Sequence, residues 1–177
     1  HRDLKPSNVL VGAFGEVRVI DWGSAHVLES RRKNFEASFV PLNVAAIQTD
    51  RGEAMEAAPG SPHATAHSGL PITPSFTAPE LLRGELRELA PQTDIYSIGV
   101  MLYELLSGQL PYLGENGSLP AAAELKASIL KGPPQLRRQI KHSIPKERAA
   151  ICEKAMAHAK AGRYGSVDEL AEDIRAC

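Results

Sequence analysis

Four side chains near the start of this 177-residue chain could do chemistry together. Asp3 and Asn8 stand five positions apart with Lys5 between them, and Asp21 follows thirteen positions after Asn8. The amide oxygen of Asn8 and the carboxylate of Asp21 make a hard oxygen pair of the kind that suits Mg²⁺. Asp3 is placed to accept or orient the proton of a hydroxyl. Lys5, two residues on and so on the same side of an extended loop, can neutralise charge on a group in transit. This is the inventory of metal-assisted phosphoryl transfer, where positioning and electrostatic stabilisation carry most of the catalysis. Any one of these residues alone would read as a turn or cap residue, so the weight lies in their order and spacing.

The elements that must hold them follow from local pattern. Val9-Leu10-Val11 and Val17-Arg18-Val19-Ile20 are β-branched runs joined by Gly12-Ala13-Phe14-Gly15-Glu16, which predicts a small hairpin linking the two candidate loops. The turn resembles the tail of a glycine-rich nucleotide loop, but no strand with Ala-x-Lys follows it, so it reads as a plain turn. From about Ser30 to Leu70 periodicity disappears and breakers dominate, which predicts a long loop or insertion. Pro79-Glu80-Leu81-Leu82 reads as a short helical turn. Pro91 to Ser107 is apolar on nearly every face and stops at Gly108, the pattern of a buried central helix with a glycine C-cap. Ala121 to Leu130 and Pro145 to Ala157 read as shorter amphipathic helices. Ser166 and Glu169 form a capping box ahead of a Val167, Leu170, Ala171, Ile174 stripe. The fold class is therefore mainly α with one small β hairpin.

With 43% hydrophobic residues the chain can bury one sizeable core and is too short for two. A net charge of −1 supplies no basic field for nucleic acid or for an acidic membrane surface, and neither partner is expected. Cys152 and Cys177 fit neither a disulfide framework nor a zinc site, which points to a reducing compartment and a cytoplasmic location. No apolar run is long enough to span a membrane and no signal peptide precedes His1. A chain that starts inside a motif reads as a fragment. His26, His63, His67, His142 and His158 form no ligand cluster and read as surface or loop residues, and Arg31-Arg32-Lys33 as a solvated face.

Two further stretches complete the pattern. Thr73-Pro74-Ser75-Phe76-Thr77-Ala78-Pro79-Glu80 is followed, fourteen positions after Glu80, by Asp94-Ile95-Tyr96-Ser97-Ile98-Gly99. With His1-Arg2-Asp3-Leu4-Lys5-Pro6-Ser7-Asn8 and Asp21-Trp22-Gly23, they resemble, in order, the catalytic loop, metal-binding loop, activation-segment end and buried helix of eukaryotic-type serine/threonine protein kinases. The stretches Leu136 to Arg138, Ile151 to Met156 and Arg163 to Leu170 resemble the bacterial members.

The resemblance covers nearly the whole chain and implies a protein-kinase-like C-terminal lobe. Residues 1–23 would carry the catalytic and metal-binding loops, 24–80 a long activation segment with an insertion, and 81–177 a helical subdomain. It implies Asp3, Lys5 and Thr73 as catalytic residues, Lys5, Asn8, Leu10 and Asp21 as contacts to ATP and its ion, and Asn8 and Asp21 as Mg²⁺ ligands. Leu10 would lie beneath the adenine, and Thr73 would bond Asp3 and Lys5. His1 and Trp22 would belong to a stacked column anchored by Asp94, and Arg2 would grip a phosphate on Ser68, Thr65 or Ser61. Glu80 and Arg163 would form an ion pair, or else be two unrelated surface charges. The substrate implied is a protein with a Ser or Thr acceptor.

Three departures stand out. Trp22 replaces the usual Phe, and Ile72 sits where Gly commonly precedes Thr73. Asp21 and Glu80 are fifty-nine positions apart, about twice the family's spacing. No glycine-rich loop, Ala-x-Lys lysine or αC-type glutamate occurs, so the N-terminal lobe required for ATP binding is missing and the isolated chain is expected to be marginally stable and inactive. Two alternatives remain open: a catalytically silent kinase-lobe binding module, and a small-molecule phosphotransferase, the latter disfavoured by the Ala-Pro-Glu segment and the buried helix.

Overall fold

Pro91 can begin a helix because its fixed φ and absent N–H suit a first helical position. Gly108 ends the same helix, in the left-handed region at φ 69°, donating its N–H to Glu104 O. Between them the chain forms a single helix, Pro91–Ser107, around which the rest is built. A computed structural model describes residues 1–26, 28, 74–85, 89–114, 116–134 and 144–177. In order it shows strands β1 (Val9–Val11) and β2 (Val17–Val19), then helices α1 (Pro79–Leu82), α2 (Pro91–Ser107), α3 (Ala122–Lys131), α4 (Lys146–Ala155) and α5 (Val167–Arg175). Short 3-10 turns lie at Pro6–Asn8, Trp22–Ser24, Pro74–Phe76 and Lys160–Gly162. The described residues form the expected mainly helical architecture with one hairpin.

Helix α2 buries two sides. Tyr96, Val100 and Tyr103 face a core shared with Phe76 and Ala78 before it and with Leu125, Ile129, Cys152 and Met156 after it. Ile95 faces a second cluster with Ile151, Ala155, Tyr164 and Leu170. Its apolar content nevertheless exceeds what is covered, since Leu105 is 82% exposed. Helices α2 and α4 approach closely at Gly99, where an added Cβ would lie 2.8 Å from Met156 Cγ and 2.9 Å from Ala155 Cβ. Cys152 Sγ donates to Gly99 O across the same contact.

The capping box at α5 is present in slightly altered form. Ser166 Oγ accepts from Glu169 N at 3.2 Å, while the Glu169 carboxylate reaches back to Gly165 N at 2.9 Å. Of the expected α5 stripe only Leu170 is fully buried, and Val167 and Ile174 remain partly exposed because one turn alone reaches the core.

Strands β1 and β2 pair antiparallel with Val9 opposite Val19 and Val11 opposite Val17. The turn between them uses Gly15 at φ 84°, and the Glu16 side chain folds over Gly12, occupying the space a Cβ would need there. It is a hairpin turn, as expected. No helix among the described residues is long and apolar enough to cross a membrane.

Candidate active site

Lys5 is extended, and Pro6 then opens a 3-10 turn that Asn8 closes by donating its N–H to Lys5 O at 2.9 Å. The tight turn folds Asn8 back on Asp3. Its Nδ2 donates to Asp3 O at 2.8 Å and to Asp3 Oδ2 at 3.4 Å. Lys5 Nζ lies 2.9 Å from Asp3 Oδ2. All three side chains are buried, so this cluster of a carboxylate, an ammonium and an amide is shielded from bulk water. Asn8 commits its Nδ2 to Asp3, and its amide oxygen is the end left for a hard cation.

Asp21 reaches the same neighbourhood through the hairpin. Ile20 N donates to Asn8 O at 2.9 Å, extending the β ladder by one pair, and Asp21 is the next residue. It adopts a left-handed conformation at φ 62°, which an aspartate tolerates better than most residues, and its side chain is exposed. Leu10, at the centre of β1 opposite Arg18, is half exposed. Thr73 lies outside the described residues, as do Ile72, Ser61, Thr65, Ser68, the Arg31 to Lys33 run and three of the histidines, His63, His67 and His142.

The loop pair is anchored from below. Asp94, on the first turn of α2, accepts from the backbone nitrogens of His1 and Arg2, each at 2.8 Å. The His1 ring lies 4.8 Å from the Trp22 ring, and its Nε2 is 3.0 Å from Ile20 O. Trp22 Nε1 donates to Val19 O, and Arg2 Nε to Ser24 O. The two loops and the helix N-terminus thus form one bonded unit. His1, Arg2, His26, Leu28 and Asp94 also line an adjacent cleft.

Glu80 and Arg163 are a buried, bidentate pair rather than separate surface charges. Arg163 Nη1 and Nη2 meet Glu80 Oε1 and Oε2 at 2.9 and 3.0 Å. The remaining three N–H groups of the guanidinium donate to Gln92 O, His158 O and Ala157 O, so all five donors are used. Thr93 Oγ1 donates a further bond to Glu80 Oε1, and the guanidinium sits 4.9 Å over the Tyr96 ring. Burial alone would raise the Glu80 carboxyl, but the hydrogen bonds and charge of Arg163 outweigh it and hold the group below the usual carboxylate range.

Several of these partners carried no signal in the sequence. Main-chain carbonyls at 92, 157 and 158 could come from any residue type. His158, read as a surface or loop residue, is partly buried, with Nε2 within 3.1 Å of Leu130 O and 2.8 Å of Arg83 Nη2.

Comparison with known proteins bears on the family of the chain. The protein kinase domain model matches residues 1–173. The serine/threonine-protein kinase PknD of Chlamydia muridarum is 32% identical over 99% of this chain and 17% of its own length. PknD of Chlamydia felis is 33% identical over 98% of this chain and 16% of its own length. A protein named as probable serine/threonine-protein kinase PknB, from Bifidobacterium longum, is 30% identical over 98% of this chain and 20% of its own length. The chain spans about a fifth or less of these relatives. With its loops, buried ion pair and central helix in the family's order, and the family model matching all but the last four residues, the chain belongs to the protein kinase family, in its bacterial-style serine/threonine branch.

Proposed function

We propose that this chain is the C-terminal lobe of a protein kinase whose complete form transfers the γ-phosphoryl group of ATP to Ser or Thr hydroxyls of protein substrates. The observation that carries the reading is the buried Asp3, Lys5 and Asn8 cluster, joined by one backbone hydrogen bond to the strand end that bears Asp21. Asp3 orients the acceptor hydroxyl and takes up its proton. Lys5 holds the Asp3 carboxylate in place and offsets negative charge on the transferring group. The donor chemistry of Asn8 and Asp21, one neutral oxygen and one carboxylate, fits Mg²⁺, and these two residues would hold it. When bound, the ion supplies charge neutralisation on the phosphates. Leu10 offers an apolar surface for the adenine, and the family resemblance assigns Thr73, which lies outside the described residues, to the bonding of Asp3 and Lys5.

The nucleotide also needs groups above it, which this chain's residues do not provide, so the isolated chain is expected to be inactive. The test is γ-phosphate transfer by the complete kinase to a protein acceptor. Asp3→Asn should lower kcat by about a hundredfold or more while the protein stays folded. Wild-type activity in that variant would overturn the assignment, and efficient transfer by residues 1–177 alone would overturn the expected inactivity of the isolated chain.

A further inference from the structure

Tyr112 holds φ at 63°, a left-handed conformation that is unfavourable for a bulky aromatic residue and persists only where the surroundings impose it. The side chain of the same residue is held at its far end by two hydroxyl contacts. Tyr112 O–H donates to Gly132 O at 3.1 Å, and its oxygen lies 3.2 Å from the Tyr96 hydroxyl. Since the Tyr112 proton is committed to Gly132, the Tyr96 hydroxyl is the donor between the two, giving a directed chain from Tyr96 to Tyr112 to Gly132. Burial pushes the Tyr112 phenol up to about 12 and raises Tyr96 as well, so both protons are in place at neutral pH. The Tyr96 ring lies beneath Arg163, which ties this chain to the Glu80 pair.

The far end of the chain is the C-terminus of α3. That helix packs on the Pro74–Phe76 turn and on α1, and its Leu125 and Ile129 share a core with Phe76 and Ala78. Gly132 directly follows it. We propose that Tyr112 is a strained latch that seats α3 against the Pro74–Phe76 turn and so acts as a positioning residue for acceptor docking, the docking role resting on the kinase reading above. Releasing the hydroxyl bonds lets Tyr112 relax to negative φ, and α3 keeps its apolar contacts with the α2 core but loses the bond that fixes its C-terminal end.

The test compares Tyr112→Phe and Tyr96→Phe in the complete kinase, by hydrogen exchange and by steady-state kinetics with a protein acceptor. In Tyr112→Phe, amides of Ala122–Gly132 should exchange about tenfold faster, with α4 and α5 unchanged. Tyr96→Phe keeps the Gly132 bond and should show a smaller rise in the same segment. In the complete enzyme, Tyr112→Phe should raise KM for the acceptor several-fold and leave kcat within about twofold. Unchanged exchange in α3, a rise spread equally over α2, α4 and α5, or an unchanged KM overturns the proposal. If Tyr112→Phe does not fold, Tyr96→Phe decides by the same local criterion. A complete kinase without phosphotransfer would refute the function assigned above, while the exchange result would still decide the latch.

Discussion

Replacing Arg163 by Ala should be the most destabilising single change among the described residues. The guanidinium is fully buried and Glu80 is 2% exposed, so neither can turn to water when its partner is lost. Arg163→Ala strands the Glu80 carboxylate with the Thr93 hydroxyl as its remaining side-chain donor, and removes the donors from three carbonyls, those of Gln92, Ala157 and His158. Breaking a buried ion pair from one side costs about 3–5 kcal/mol, and we expect the upper part of that range because the carbonyls are stranded too. Glu80→Gln keeps the shape and one acceptor and should cost about 2–3 kcal/mol.

Urea unfolding at neutral pH, followed by far-UV circular dichroism, measures both. A stabilising osmolyte can be present throughout, so that a weak fold still gives a native baseline. The double variant should cost well under the sum of the two, because each single change already leaves the other charge unpaired.

The pH dependence has a defined sign. The Glu80 carboxyl is held below its ordinary value in the folded state, so the pair contributes fully above the usual carboxylate range. That contribution fades as pH falls through the lowered folded value, and the gap between wild type and Arg163→Ala should narrow on the acid side. A loss under about 1 kcal/mol for Arg163→Ala, or additivity within about 0.5 kcal/mol in the cycle, would refute the reasoning.

Three further outcomes are expected. Gly99→Ala forces a methyl against Met156 Cγ and the Ala155 backbone carbonyl carbon, the latter 3.2 Å away, and should cost about 1–3 kcal/mol, read as a lowered Tm. Ser166→Ala removes the acceptor for Glu169 N and should cost about 1 kcal/mol in urea unfolding, with the loss concentrated in α5 exchange. Of the two cysteines, Cys177 is exposed whereas Cys152 is buried with its thiol pushed up to about 12, so a disulfide reagent at mildly alkaline pH should titrate one thiol in the native protein and two after denaturation.

The parts of this fold that were legible in the sequence are those whose signals are local. Pro91 and Gly108 bracket α2, Ser166 opens α5, and β-branched runs around Gly12 to Glu16 make the hairpin, each by a rule that needs only neighbours in the chain. Asp3, Lys5 and Asn8 were legible as a set from their order and spacing, whereas the proline-initiated turn that brings them together within six residues is seen only in the structure.

Long-range pairing was legible only where a family resemblance supplied it, as with Glu80 and Arg163 or Asp94 below His1. The carbonyls that complete Arg163, the Tyr96 and Tyr112 hydroxyls, and the seat of His158 between Arg83 and Leu130 arise from tertiary packing between segments, and no residue pattern announces them. The α5 stripe shows the opposite error: periodicity marks an apolar face but not how much of it a neighbour covers.

The hairpin makes the spacing of the two loops a matter of strand register rather than of loop flexibility. Each strand is three residues long, and the ladder continues through Ile20 to Asn8. Lengthening the Gly12 to Glu16 connection would leave Asn8 and Asp21 where they are, because the added residues loop out beyond the last pair. Deleting one residue from either strand would instead turn every following side chain to the opposite face and carry Asp21 away from Asn8. Evolution and engineering alike are therefore free at the tip of this ribbon and constrained along its arms.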